Sequence, residues 1–270
     1  MKTCGADFGV KLNKGIVEEI GKSYIEQPEI KWNGKGIKWF DDSQLMKKKA
    51  RNYIVMDLEM SAVAKTAENK DLSHRMEIIQ IGAVLLDSKY QEVGHFMTLV
   101  KPQFNTRIER NYEKLTGITT EMVAEAPVFE EAIKMFFQWC TSVKSNTQIC
   151  QWSTSDLHQI KSEIAMKGYY LTKKERELLT NWCDFQQEYG EKLGVEGCLS
   201  LKKALMYAGV DATGHFHDAL DDARNTATLL STVRDEEKCK KALQHVIDAI
   251  HPQPFGTSLG TILSGFQLAM

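Results

Sequence analysis

The stretch "YIVMDLEM" (residues 53–60) decides how this chain is read. It is an apolar run that ends in acids, the pattern of a buried strand. Successive side chains on a strand point to opposite faces, so Asp57 and Glu59 lie side by side and Leu58 turns away. Two carboxylates held together raise one another's pKa unless a cation lies between them. Hard divalent cations, Mg²⁺ or Mn²⁺, favour such oxygen ligands. The plain alternative is a pair of solvated acids at a strand end. For a lone D-x-E triplet that alternative wins, because such triplets are common.

Outward from this strand the pattern stays β for two more elements. "MEIIQIGAVLLD" (76–87) and "VGHFMTLVK" (93–101) read as strands separated by only "SKYQE". Strands joined so tightly pair antiparallel. The period then changes. Phe129, Ala132, Ile133, Phe136 and Cys140 fit one face of a helix. "TQICQW" (147–152) is a further short buried strand, followed by a helix with Leu157, Ile160 and Ile164 on its inner face. "NWCDF" (181–185) is the last strand. Helices are predicted near Tyr189 and over 199–207, 218–233 and 236–250. A meander followed by alternating helices and strands implies an α/β fold, a mixed sheet with helices on its faces.

The whole chain sets bounds on this reading. Its 270 residues can bury one substantial core with a small appendage. The formal net charge of −2 argues against a protein that holds duplex nucleic acid by charge alone. Any phosphate ligand must then be held by local groups or metals. The six cysteines are scattered and form no CxxC, so reduced, cytoplasmic thiols are expected rather than zinc or a disulfide framework. The first residues do not read as a signal peptide, and no apolar run reaches the ~18 residues of a membrane span. Residues 1–48 read as an extension of unknown role, with a short helix expected at "GIVEEIGKSY" (15–24). "MKKKAR" (46–51) reads as a solvated linker more than as a phosphate contact.

Two other acidic stretches stand out. In "QWSTSDLHQI" (151–160), Asp156 follows a strand and opens a helix. Ser153 and Asp156 fit an S-x-x-D cap, so a capping acid is one reading. A ligand is the other, because loops beyond strand ends are where α/β folds gather ligands. In "GHFHDALDDARNTA" (214–227), Ala219, Leu220, Ala223, Ala227 and Leu230 form an apolar helix face. Asp218, Asp221, Asp222 and Asn225 are expected on the outer side, and acids in a first turn favour the helix dipole. Spacing alone does not separate Asp221 from Asp222.

Taken in order, these pieces resemble the DEDDh 3′–5′ exonuclease family of the ribonuclease-H-like superfamily, over residues 52–233. "YIVMDLEM" resembles the first family motif, "MEIIQIGAVLLD" its paired strand, and "LTGITTEMV" (115–123) a family turn segment. "CQWSTSDLHQI" resembles the second motif and "HFHDALDDARNTA" the third. Within the third, only His217 has an aspartate five residues on, Asp222; five beyond His215 stands Leu220. The wording is nearest the KapD-like and RNA-interference-type branches.

The resemblance implies a five-stranded ribonuclease-H-like mixed sheet with helices on both faces. It implies an exonuclease domain over 49–235, flanked by the extension at 1–48 and by a C-terminal helix and apolar tail at 236–270. It further implies a metal-dependent enzyme releasing nucleoside 5′-monophosphates from the 3′ ends of single-stranded nucleic acid, RNA favoured over DNA. Two Mg²⁺ ions are implied, with Mn²⁺ able to substitute. Asp57 would bridge both, Glu59 and Asp222 complete one site, and Asp156 support the other. His217 would be the general base. Met60 would sit near the terminal base or else serve the core; Phe216 would stack on a base or else pack. A nuclease restricted to dinucleotides or very short oligonucleotides is an alternative, as is a non-catalytic nucleic-acid-binding or interaction module on the same fold. Against the module stands the presence of all five residues. The tail "PFGTSLGTILSGFQLAM" (254–270) is expected to pack on the core or on a second subunit, a homodimer through the terminal segments, and not to cross a membrane.

Overall fold

The computed structural model describes residues 52–63, 75–143, 146–193 and 199–250, with two short pieces at 30–32 and 37–39. The helix expected at 15–24, the basic run at 46–51 and the tail at 254–270 lie outside the described residues. The two short pieces are strands β1 (Ile30–Trp32) and β2 (Ile37–Trp39), paired antiparallel. Weak periodicity in the extension gave no sign of them.

Five strands form the main sheet: β3 (Asn52–Ala62), β4 (Met76–Leu86), β5 (Glu92–Leu99), β6 (Thr147–Gln151) and β7 (Trp182–Asp184). Their order is β5-β4-β3-β6-β7. The tightly joined strands β3, β4 and β5 pair antiparallel, whereas β6 runs parallel to β3, and β7 parallel to β6. This is the mixed sheet that the period changes imply.

The helices are α1 (Arg110–Thr116), α2 (Thr120–Val123), α3 (Phe129–Ser142), α4 (Ser155–Lys167), α5 (Lys173–Leu178), α6 (Phe185–Leu193), α7 (Leu201–Ala208), α8 (Ala219–Arg234) and α9 (Glu236–Ile250). α1, α2 and α5 are too short to show a helical period in the sequence. Among the described residues, no helix is long and apolar enough to cross a membrane.

Strand β3 lies at the centre, and its alternation sorts the two cores. Ile54, Met56 and Leu58 pack with Ile81, with Phe129, Ile133 and Phe136 of α3, and with Ile160 and Ile164 of α4. Tyr53 and Val55 pack on the other face with Val84 and Leu86, and with Leu229, Leu230 and Val233 of α8. Burying each such large side chain contributes roughly 1.5–3 kcal/mol. Ala242 and Val246 of α9 join the second cluster.

One residue sets how closely α8 approaches the sheet. Gly82, inside β4, faces the helix start, and a Cβ there would overlap the backbone of Ala219 and Leu220. Glycine inside a strand commonly marks such a close approach. Gly82 is also the cross-strand partner of Asp57, and Gln80 that of Glu59. The N-terminus of α8 is therefore brought down beside the carboxylates of β3.

Candidate active site

Asp57 and Glu59 continue the side of β3 that carries Tyr53 and Val55, so they lie on the α8 side of the sheet. The register shifts between Glu59 and Met60. Such an irregularity re-aims side chains at a strand end. Met60 is half-buried against the opposite core, which supports its packing role.

Asp156 sits in the first turn of α4 and is buried. The S-x-x-D cap does not form. Thr154 is the N-cap residue and makes no side-chain cap, while Ser153 Oγ accepts from the Ser155 N–H at 3.4 Å. Gln151 takes up the task instead, its Oε1 accepting from the Leu157 N–H at 2.8 Å. The Asp156 carboxylate is thereby left to face β3, where it accepts from the Leu58 backbone.

The third motif departs most from its expected placement. Asp222 and Asn225 are buried rather than outward. The loop ahead of α8 folds back over the first turns of the helix and covers them. Asn225 Oδ1 accepts from the Thr213 N–H at 2.9 Å, and its Nδ2 donates to the Thr213 carbonyl at 3.0 Å. Asp222 Oδ2 accepts from the His217 N–H at 2.9 Å. His217 adopts φ 66°, the left-handed region, which is rare for a non-glycine residue and recurs at functional sites.

The neighbouring acids are spoken for. Asp218 is the N-cap of α8, its Oδ1 accepting from the N–H groups of Leu220 (3.0 Å) and Asp221 (3.1 Å). It is half-buried, not on a wet face. Asp221 Oδ2 accepts from the His215 N–H at 2.9 Å, so His215 contributes its backbone. Phe216 packs against the α8-side core with the Lys202 Nζ 5.6 Å from its ring centroid, which occupies one ring face.

The structure brings acids of three separate segments close enough to raise one another's pKa, though among the described residues Asp57 and Asp156 fall outside the compact set of ligand atoms. Glu59, His217 and Asp222 each offer a ligand atom within 4.8 Å of the others'. The exposed His217 places Nδ1 3.9 Å from Glu59 Oε1. Burial, then Asp156, Glu59, Asp222 and Asp218, all push the Asp57 carboxyl well above the usual range. Burial, followed by Asp222, Asp156 and Asp218, pushes Glu59 up to about 8. Burial also raises Asp156, to about 7, against the backbone N–H groups that it accepts. It raises Asp222 too, against the His217 N–H and the Asn225 side chain. Asp222 Oδ1 is buried with no hydrogen-bond partner. An orphaned carboxylate oxygen beside carboxylates of the same sign fits a hard divalent cation.

Two contributors were not legible as site residues. Gln80 and Gly82 sit within an apolar strand run. A glycine and an amide interrupting such a run were the available signal.

Comparison with known proteins extends this geometry. A family model described as "Exonuclease" (RNase_T) matches residues 54–230. The chain is 24% identical over 259 residues to "3′-5′ exoribonuclease 1" of Rattus norvegicus, covering 83% of this chain and 72% of that protein. It is 28% identical over 210 residues to "ERI1 exoribonuclease 2" of Danio rerio, covering 69% of this chain and 36% of that protein. In fold it resembles the nuclease domain of 3′hExo, a DEDDh family member bound to rAMP. The TM-score is 0.60 at 21% identity, covering 68% of this chain and 92% of that one. It also resembles E. coli Exonuclease I in complex with a dA16 oligonucleotide, with TM-score 0.52 at 15% identity, covering 73% of this chain and 43% of that one.

Proposed function

We propose that this chain, which belongs to the exonuclease family, works as a DEDDh-type 3′–5′ exonuclease that acts on single-stranded RNA in preference to DNA and releases nucleoside 5′-monophosphates. The names of the exoribonuclease relatives support RNA. The observation that carries the chemistry is the cluster of buried Glu59, Asp156 and Asp222 with the half-buried Asp57, with Asp222 Oδ1 unpartnered among acids of raised pKa.

Two divalent ions, Mg²⁺ with Mn²⁺ able to substitute, would supply positive charge to neutralise the crowded phosphate and to favour ionisation of the attacking water. Asp57, Glu59 and Asp222 would hold one, and Asp57 with Asp156 the other. His217 is the general base. An imidazole can take the proton of the attacking water near neutral pH. The water oxygen attacks phosphorus, and the bond to the 3′ oxygen of the preceding nucleotide breaks. The terminal nucleotide leaves as a 5′-monophosphate, and the 3′ oxyanion of the chain end takes up a proton from solvent to become a new 3′ hydroxyl. The Asp222 carboxylate holds the His217 backbone in its left-handed turn and so ties base to ligand. The catalytic unit is residues 49–235, with α9 buttressing it through Ala242 and Val246.

One observation favours a second reading, in which His217 is a metal ligand: its ring nitrogen joins Glu59 and Asp222 in one compact set. The test uses 5′-labelled RNA and DNA with Mg²⁺, Mn²⁺ or EDTA. A ladder shortening from the 3′ end is expected, abolished by EDTA and by Asp57→Ala. Digestion unaffected by Asp57→Ala would falsify the mechanism. His217→Ala is expected to slow hydrolysis more than it weakens Mg²⁺ binding, and the reverse order makes it a ligand.

A further inference from the structure

We infer that Gln80 is a positioning residue of the hydrolytic site, an inference that rests on the exonuclease reading above. Its amide fixes where the first turn of α8 stands over β3. Gln80 is buried within β4, opposite Glu59 and two residues from Gly82. Its Oε1 accepts from the Ala219 N–H at 3.0 Å, and its Nε2 donates to Asp218 Oδ2 at 3.0 Å.

The two bonds have fixed polarity. A backbone N–H can only donate and a carboxylate can only accept, so a side chain here must accept at one end and donate at the other. Glutamine does both. It also completes the helix start. The Ala219 N–H goes to Gln80, those of Leu220 and Asp221 go to Asp218 Oδ1, and that of Asp222 goes to the Asp218 carbonyl at 2.8 Å. The opening N–H groups of a helix need such outside partners.

The clamp reaches the chemistry through the backbone. Asp222 is on the turn that Gln80 pins, and Asp222 Oδ2 in turn accepts from the His217 N–H. Gly82 permits the close approach of α8, and Gln80 selects one position within it. Gln80 bonds none of the proposed ligands, so it acts by placing Asp222 and His217 relative to Glu59.

The test is steady-state hydrolysis of 5′-labelled single-stranded RNA by the full chain with Mg²⁺. Gln80→Leu is expected to lower kcat on the order of 10- to 100-fold, the scale of a misplacement of about 1 Å. KM should stay within about threefold, because substrate contacts are untouched. Gln80→Glu sets a carboxylate against Asp218 and should be as slow. Asp218→Asn still caps the helix but turns a donor toward Gln80. The double variant Gln80→Glu/Asp218→Asn restores the polarity with the donor and acceptor exchanged and the net charge kept. It should recover kcat to within about fivefold of wild type, which a general loss of packing would not allow. A double variant no faster than the slower single one overturns the inference, as does a Gln80→Leu chain of wild-type kcat. A wild-type chain that shortens neither RNA nor DNA removes the exonuclease reading, and this inference with it.

Discussion

Helix α4 carries a buried acid near each end, and the two ends are built differently. At its C-terminal end Glu163 accepts from the Ile78 N–H and from Gln159, and it pairs with Lys167 at 2.6 Å. Lys167 also pairs with the buried Glu77 at 2.9 Å, and Glu77 takes the N–H groups of Gln103, Phe104 and Asn105. The lysine Nζ lies over the rings of Phe104 and Phe129 as well. Burial raises Glu163, and Lys167 opposes that rise. At the N-terminal end, Asp156 joins Asp57, Glu59 and Asp222, and every influence on Asp57 pushes its pKa the same way. One group of buried acids comes with its own cation and serves as structure. The other is left in need of one, and that need is the mark of a site.

The contrast can be broken most sharply at Lys167. Lys167→Met strands two buried carboxylates and should cost about 3–5 kcal/mol in urea unfolding. A loss under about 1 kcal/mol would show that the lysine does not hold that cluster together.

The next effect depends on pH. Glu59 at about 8 and Asp156 at about 7 stand above the ordinary carboxylate value of about 4. The folded chain then binds protons more readily than the unfolded one. Stability from these groups is full below about pH 4 and is lost as the pH rises through about 8. The metal-free chain should therefore melt progressively lower from about pH 5 to about pH 8, and Mg²⁺ at the upper end should restore the difference. A flat profile, unchanged by Mg²⁺, would remove the uncompensated cluster from the comparison.

The smallest expected change in stability is at Gly82. Gly82→Ala forces α8 off the sheet and should cost about 1–3 kcal/mol as overpacking. Hydrolysis should fall by more than that loss explains, because Asp222 moves with the helix. Equal activity at saturating Mg²⁺ would show that the close approach serves packing alone.

Much of this was legible along the chain. The alternation of β3 put Asp57 and Glu59 on one face because a strand has a period of two, and the short links between β3, β4 and β5 forced antiparallel pairing. The choice of His217 and Asp222 came from the resemblance, since local spacing could not make it. That spacing put Asp222 and Asn225 outside, because a helical wheel cannot see a preceding loop that folds back over the first turns. Asp156 looked like a cap for a similar reason: its rival Gln151 sits at the end of a strand, where the cap pattern does not look. Gln80 was invisible because its partners, Asp218 and Ala219, lie far along the sequence.

That distance gives the clamp between β4 and α8 a place in time as well as in space. Gln80 and Asp218 are 138 residues apart. A ribosome adding about 5–20 residues per second takes roughly 7–28 s to make the stretch between them. During that interval Asp57 and Glu59 exist without Asp222 or His217, and loop closure over so long a span comes late in folding. The growing chain is thus a nuclease without a working site until its last core helices have been made, and hydrolysis begins only when the fold closes.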